Sequence, residues 1–460
     1  MSNLTLAAFA MVAGLCLSGP AVAQTTTNAD IIKRGEYLTH AADCEACHTV
    51  EGGKPYIGGR PFTLPFGVIF SPNITPDVKT GIGGWSDDEF VRALHQGIGK
   101  DGEHLYPAFP YASYTGLSRD DALAIKAYLF SLPPIEQETK ENTLAFPFNQ
   151  RWGMAFWNLV NLADKRFSPD PKQSDDWNRG NYLANALGHC GECHTPRTLS
   201  FGLNSSRSFA GAEIEGWRAY NLTSDKDRGL GSWSDAQLES YLSTGHADGR
   251  GAAAGPMEEV VRLSLSHLTQ PDIHALAVYL RSLPPQSSEH DPVVNTNPPA
   301  LQDIAYVPGG TNTLGRAVFE GSCASCHGWD GRGMQTPHAD LKGSGAVNDL
   351  QAMNLIQVVL NGASANTATG SMRMPAFGKS LSDAEIAALA NYAVDRFGGQ
   401  QAAVTSDDVR KARLGADALD LKPYINAAIV AAIIAFLVFG SFLVIWVGRS
   451  RGRVPGQETQ

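Results

Sequence analysis

The strongest constraint in the sequence is a five-residue pattern, Cys-x-x-Cys-His, which occurs three times. In this pattern two thiols can bond to the vinyl groups of a porphyrin, and the histidine that follows lies beneath the iron as its proximal ligand. The sequence therefore predicts three covalent haem c groups. The attachment cysteines and proximal histidines of the three copies are Cys44, Cys47 and His48, then Cys190, Cys193 and His194, and finally Cys323, Cys326 and His327.

Other uses of paired cysteines fit the sequence less well. A zinc site needs two Cys-x-x-Cys pairs close together or a paired-histidine companion, and neither accompanies these motifs. A thioredoxin-like redox pair needs a βαβ pattern, which the sequence does not show. Structural disulfides would not require a histidine after every second cysteine, whereas the three motifs use every cysteine except Cys16.

The sequence around the motifs also repeats, and this predicts tandem domains. A short helical segment with a glycine precedes each motif, and a later helix begins at a Ser or Thr cap and carries a tyrosine. The first two copies also share an Asn-x-Thr triplet and a Trp-Ser-Asp triplet. We predict an all-α chain of three tandem class I cytochrome c-like domains, at residues 30–135, 176–287 and 310–400, with linkers at 136–175 and 288–309.

The first half of the linker at 136–175 is strongly apolar, with Trp152, Phe156 and Leu159 among its residues. We expect it to form a clamp that packs against a neighbouring domain, a partner subunit or the membrane surface. Contact with a quinone is the alternative.

The second axial ligand of an electron-transferring haem c is most often a methionine. In the third domain Met374 precedes a proline, which suits a loop that turns towards the iron. In the second domain Met257 is the only methionine available. We predict that Met257 and Met374 are the sixth ligands of these two irons.

The first domain departs from this pattern. An ungapped alignment of the first two domains places Phe109 at the position of Met257, and the first domain contains no methionine. We predict His104 as the second ligand there, with His95 as the other local candidate and an open iron as a further alternative. Imidazole in place of a thioether lowers the reduction potential, because Met/His ligation raises it.

Both ends of the chain carry apolar stretches. Residues 1–23 resemble a secretory signal that ends in the small-residue site Ala21-Val22-Ala23, although no Lys or Arg precedes its apolar core, so an uncleaved anchor is the alternative. Residues 427–447 carry no charge and are long enough to span a bilayer of about 30 Å as a helix. Arginines at 449, 451 and 453 predict a cytoplasmic tail at 448–460 and haem domains in the periplasm, on the inner membrane.

With these motifs placed, the sequence resembles the three-haem cytochrome c subunits of bacterial membrane-bound dehydrogenases of the alcohol, aldehyde and gluconate type. The resemblance covers nearly everything from residue 31 to 399, including the three haem motifs, Leu105-Tyr-Pro-Ala and Met374-Pro-Ala-Phe. It implies a catalytic partner with a quinone cofactor, a flavin or a molybdenum centre, and transfer of the electrons to ubiquinone. Family members usually have Met where this chain has Phe109, and the Phe variants resemble subunits that serve molybdenum-type dehydrogenases.

Two other functions remain as alternatives at this point. The chain has no arrangement for substrate chemistry of its own, so we expect an electron-transfer subunit that is not catalytic alone. A peroxidase-like enzyme that uses an open first iron is one alternative, and the cytochrome arm of a terminal reductase is the other. The formal net charge of −10, without a large cluster of Lys and Arg, argues against nucleic acid as a partner.

Overall fold

In the computed structural model of the protein, the described residues are 27–287, 312–334, 336–367 and 370–415, together with Val293 and Ile434. The predicted signal at 1–23 and the cytoplasmic tail lie outside these residues, as do nearly all of the linker at 288–309 and of the span at 427–447. Across the described part of the chain, no helix has both the length and the apolar character needed to cross a membrane.

The described chain is mainly helical, as predicted, with four short two-stranded antiparallel sheets in addition. We call residues 30–135, 176–287 and 310–400 the first, second and third units. Elements that belong to the first unit or begin just before it are α1 (Asn28–Ala41), α2 (Cys44–His48), β1 (Pro61–Leu64), β2 (Gly67–Phe70), α3 (Asp87–Gln96), α4 (Tyr111–Tyr114) and α5 (Arg119–Ser131). A single helix, α6 (Gly153–Asn161), follows in the linker.

The second unit repeats this order with small changes. Its elements are α7 (Asp175–Tyr182), α8 (Gly191–His194), β3 (Ala212–Ile214), β4 (Trp217–Ala219), α9 (Asp235–Thr244), β5 (His246–Ala247), β6 (Gly251–Ala252), α10 (Pro256–Leu263) and α11 (Gln270–Ser282). Helix α7 continues as a π-helix over Leu183–Leu187, because the second unit has one more residue between its helical glycine and its first haem cysteine than the first unit has.

The third unit differs most in its loops. Its elements are α12 (Thr313–Ser322), α13 (Ala324–His327), α14 (Gly345–Asn348), α15 (Met353–Asn361), β7 (Ala363–Thr367), β8 (Gly370–Met374) and α16 (Asp383–Ala393). A final described helix, α17 (Ser406–Leu414), packs on α15 and α16.

In each unit the first helix crosses the last one at the glycine that the repeat carries before its motif. A Cβ atom on Gly35 would lie 1.9 Å from the carbonyl oxygen of Ala124, and one on Gly180 would lie 2.0 Å from that of Ala275. The third unit repeats the crossing with a distance of 2.1 Å between a Cβ on Gly315 and the Ala388 oxygen. Only glycine permits the two helix backbones to approach this closely, and the crossing places the end of the first helix where each motif begins.

The buried residues divide into two cores. One core is shared by the first and second units and includes Leu38, Leu129, Leu183 and Leu276. The other belongs to the third unit and includes Phe319. The first two units are therefore packed as one body, although the sequence predicts them as separate domains.

Helix α6, which lies in the expected clamp, packs on its neighbours through one face only. The Tyr111 hydroxyl donates to Asn158 at 2.7 Å, and the Trp157 ring nitrogen donates to the Ser200 carbonyl at 2.9 Å, so the helix touches both neighbouring units. The opposite face remains exposed within this chain. Its large apolar side chains are Trp152, Phe156, Leu159 and Val160.

The helix crossing generates a prediction about two glycines of α12. We expect Gly315→Ala to lower the local free energy of unfolding of the third unit by about 1–3 kcal/mol, because the added methyl group overpacks the contact with Ala388. Gly321→Ala is the matched control: a Cβ there meets no atom within 4 Å, so the better helix propensity of alanine should raise that free energy by up to about 1 kcal/mol. Native-state hydrogen exchange of the α12 and α16 amides measures both changes. Equal effects of the two substitutions would contradict the close crossing.

Candidate haem-attachment sites

Each Cys-x-x-Cys-His motif folds as one helical turn. Helix α2 contains the whole first motif, and α8 and α13 each begin one residue after the first cysteine of their motif. Because residues three apart share a helix face, the two sulfurs of a motif lie on the same side. The six motif cysteines form no disulfide bond with one another.

The proximal histidines share one hydrogen-bond arrangement. The Nδ1 atom of His48 lies 2.7 Å from the carbonyl oxygen of Pro72, that of His194 lies 2.6 Å from Tyr220 and that of His327 lies 2.7 Å from Ala339. With Nδ1–H donating to a carbonyl, the lone pair of Nε2 is left for a metal, and the ring orientation is fixed.

The protonation states also suit haem attachment. Burial lowers the pKa of all three histidines below its ordinary value, so the imidazoles are held in the neutral form that binds iron. Burial raises the pKa of the Cys190 and Cys323 thiols to about 11, so both thiols are protonated at neutral pH. Among the described residues no group of three or more His, Cys, Asp or Glu could hold a metal ion. The residues present therefore fit covalent haem better than a bare metal.

An asparagine next to the carbonyl acceptor supports two of these histidines. Asn73 follows Pro72 and Asn221 follows Tyr220, and both side chains are almost fully buried. Their side-chain oxygens accept the backbone N–H of the threonine two residues later, at 2.9 and 2.8 Å. The Asn-x-Thr triplets are evident in the sequence, but their connection to the motif histidines is not, because the contact joins segments about 25 residues apart in the chain.

The predicted methionine ligands lie at the ends of short elements. Met257 stands in the first turn of α10 after Gly255, whose φ of +56° and contact with the Trp217 ring require glycine. Met374 ends β8, and its carbonyl lies against Gly362. Both side chains are half-buried and pack against the core of their own unit. Their role as iron ligands stays a prediction.

The structure gives Phe109 and Met257 equivalent places. The Leu105 N–H donates to the Gly97 carbonyl in the first unit, and the Ala253 N–H donates to the Gly245 carbonyl in the second, both at 2.7 Å. Phe109 lies four residues after Leu105, and Met257 lies four residues after Ala253. The ungapped alignment therefore holds in the backbone. The Phe109 ring packs against an aromatic neighbour, Tyr114, with centroids 5.5 Å apart.

The two histidine candidates of the first unit lie on different elements. His104 pairs with Ile98 in a β-bridge, and its Nδ1 atom is buried without a hydrogen-bond partner. His95 is buried in α3, its Nε2 atom also lacks a partner, and burial lowers its pKa to about 4. Each histidine thus has a free ring nitrogen, and the contacts do not bring either of them to His48.

Comparison with known proteins agrees with this chemistry. The family model described as "Cytochrome c" matches residues 32–133, and the one described as "Cytochrome C oxidase, cbb3-type, subunit III" matches residues 310–392. The fructose dehydrogenase cytochrome subunit of Gluconobacter japonicus is 37% identical over 466 residues, which cover 96% of each chain. The gluconate 2-dehydrogenase cytochrome c subunit of Pantoea cypripedii is 39% identical, over 86% of this chain and 92% of its own.

A further relative is much longer than this chain. It is a nicotinate dehydrogenase subunit of Pseudomonas putida, which is 42% identical over 82% of this chain but only 31% of its own length. The two relatives described above match along nearly their whole length. On that evidence, and as its haem motifs predicted, the chain belongs to the cytochrome c subunits of dehydrogenases, which transfer electrons and are not catalytic alone.

Proposed function

We propose that this chain carries three covalent haem c groups and passes electrons from a periplasmic dehydrogenase subunit to ubiquinone or to a downstream cytochrome. The observation that supports it best is the threefold recurrence of one arrangement, a Cys-x-x-Cys-His turn with its histidine Nδ1 held by a backbone carbonyl. Bound haem supplies an iron that accepts and releases one electron at a time. The chain's own residues attach, orient and shield that group.

The proposed ligand set follows the sequence analysis. His48, His194 and His327 are the proximal ligands, and Met257 and Met374 are the sixth ligands in the second and third units. His104 is the proposed sixth ligand in the first unit, supported by its buried and unpartnered Nδ1 atom. On this proposal the first site has the lowest potential of the three, because it lacks a methionine.

The proposed setting is the bacterial inner membrane. The charge pattern around residues 427–447 supports a C-terminal anchor with the three units in the periplasm, after removal of a signal at residues 1–23. The relatives named as cytochrome subunits of fructose and gluconate dehydrogenases support a catalytic dehydrogenase subunit as the partner. Phe109 suggests a partner of the molybdenum type. The similarity to a nicotinate dehydrogenase subunit is consistent with that suggestion.

The haem count is the first test. We expect three equivalents of haem c by alkaline pyridine haemochrome in protein matured where haem c is attached. Replacing both cysteines of any one motif by alanine should reduce the count to two, because each pair forms the covalent bonds of one haem. Ser325→Ala, which changes an exposed residue between the two cysteines of the third motif, is the control and should leave three. Fewer than three equivalents in the unmodified protein would contradict the proposal.

The first-site ligand is tested by electron paramagnetic resonance of the ferric protein. We expect a low-spin bis-histidine signal that is replaced by a high-spin signal in His104→Ala, because removal of the imidazole opens the sixth position. His274→Ala is the control, since His274 is exposed and bonded to Glu239. Loss of the signal in His95→Ala instead would assign the ligand to His95. A high-spin signal already present in the unmodified protein, with peroxide-dependent turnover, would favour the peroxidase-like alternative.

The partner is tested by purification of the membrane-bound chain in mild detergent. We expect a dehydrogenase catalytic subunit to co-purify and its substrate to reduce the haems. Recovery with a terminal oxidase or reductase in its place would favour the alternative of a terminal-reductase arm.

A further inference from the structure

Two tyrosines connect the first and second units in a reciprocal way. The Tyr37 hydroxyl of the first unit donates to the Asp272 carboxylate of the second at 2.5 Å. The Tyr182 hydroxyl of the second unit donates to the Asp121 carboxylate of the first, also at 2.5 Å. Each tyrosine hydroxyl accepts a backbone N–H from the helix cap beside its aspartate, Thr269 or Ser118, at 3.2 and 3.3 Å. The same contact is therefore made twice, in opposite directions.

Each aspartate also forms a salt bridge with an arginine of its own unit. Arg34 lies 2.6 Å from Asp121, and Arg179 lies 2.6 Å from Asp272. The arginines occupy equivalent positions, three residues before the tyrosines. In each Arg-Gly-x-Tyr segment the arginine therefore binds the aspartate of its own unit, and the tyrosine binds the aspartate of the other unit. Hydrogen bonds to a carboxylate are roughly twice as strong as bonds between neutral groups.

The third unit lacks this set of arginine, tyrosine and aspartate. At the positions of the arginine and the tyrosine it has Leu314 and Ala317, and Glu385 takes the place of the aspartate. Glu385 instead accepts the backbone N–H of Ser382 at 2.8 Å, capping its own helix. This difference agrees with the division of the buried residues into a shared core and a separate third core.

The reciprocal arrangement extends to the first two haem motifs. From the first unit, the Ser113 hydroxyl donates to Glu192, between the two cysteines of the second motif, at 3.2 Å. The Tyr114 ring of the same helix packs edge-on against His189, the residue before Cys190, with centroids 5.4 Å apart.

Contacts in the opposite direction use the equivalent helix of the second unit. Glu259, in α10, accepts two hydrogen bonds of 2.8 Å from Arg60, and Arg60 also donates to the carbonyl of Ala46 inside the first motif. In the ungapped alignment, helix α4 (residues 111–114) matches residues 259–262 of α10, the helix that also contains Met257. Each of these helices thus connects its own unit to the haem motif of the other.

We propose that the first two haem sites form one electrostatically coupled redox pair, positioned by the reciprocal bonds of Tyr37 and Tyr182, and that the third site couples more weakly to the first. This inference rests on the proposed function, since it presupposes haem at both motifs. The physical reason is that two charges close together in a protein interior interact far more strongly than in water. An electron held at the second site therefore lowers the potential of the first.

A spectroelectrochemical titration of the full-length protein tests the pairing. In the Cys190→Ala/Cys193→Ala variant we expect the midpoint potential of the first site to rise, because the more oxidising second site is already reduced when the first one titrates. In the matched Cys323→Ala/Cys326→Ala variant we expect a smaller rise. An equal or larger rise on loss of the third site would overturn the proposal.

The two tyrosines are tested as positioning residues in the same titration. We expect Tyr37→Phe/Tyr182→Phe to retain three haems but to reduce the shift that loss of the second haem produces. Tyr392→Phe is the control, because the Tyr392 ring contacts the rings of Phe319 and Phe397 within the third unit. An unchanged shift in the double variant would contradict the positioning role.

Hydrogen exchange gives a second measurement if the potentials are hard to resolve. Each Tyr→Phe change leaves a buried carboxylate short of one donor, a loss of about 1–3 kcal/mol that corresponds to roughly five- to 150-fold faster exchange. We expect this increase in both α1 and α11 for Tyr37→Phe, and no change in α12. An increase confined to the first unit would contradict the reciprocal interface.

The haem count distinguishes failure of the proposed function from failure of the pairing. Fewer than three haems in the unmodified chain would contradict the proposed function, whereas three haems without preferential coupling would contradict only the pairing.

Discussion

The hydrogen bond between a histidine Nδ1 and a backbone carbonyl is the interaction on which the haem sites depend. It selects the tautomer, fixes the ring and leaves Nε2 available in all three motifs. Each bond needs two segments to meet: the motif helix, placed by the glycine crossing, and a loop that presents the carbonyl. In the first two units a buried asparagine stiffens that loop. The motif histidine is therefore oriented only because the distant loop is held in register with the motif helix.

Much of this could be predicted because the signals are local. The helical turn of each motif follows from one five-residue pattern, and the Ser or Thr caps predicted for the later helices are found at Ser118, Thr269 and Ser382. The glycine crossings were also predictable, because a glycine recurs at the same place in three helices. The equivalence of Phe109 with Met257 followed from an alignment without gaps, and the backbone hydrogen bonds keep that register.

The contacts between units could not be predicted in the same way. Tyr37 and Asp272 are separated by 235 positions, and nothing in the sequence near either residue indicates the other. The repeated Arg-Gly-x-Tyr segment was visible, but a repeat predicts similar folding within units and says nothing about pairing between them. Trp152 and Phe156 are exposed within this chain. Their apolar segment predicts packing against a domain, a partner subunit or the membrane, but composition alone does not identify which of these surfaces provides the contact.

The reciprocal interface has the form of an isologous dimer contact, made here between two parts of one polypeptide. In separate chains such a contact would have to offset the entropy lost on association at whatever concentration the cell provides. Here residues 136–175 tether the two halves, so their effective concentration is constant and high. Strict symmetry is then no longer needed, and the halves are free to diverge. The extra residue absorbed by the π-turn at Leu183–Leu187 and the change from Met257 to Phe109 are two such departures, both tolerated within a shared core.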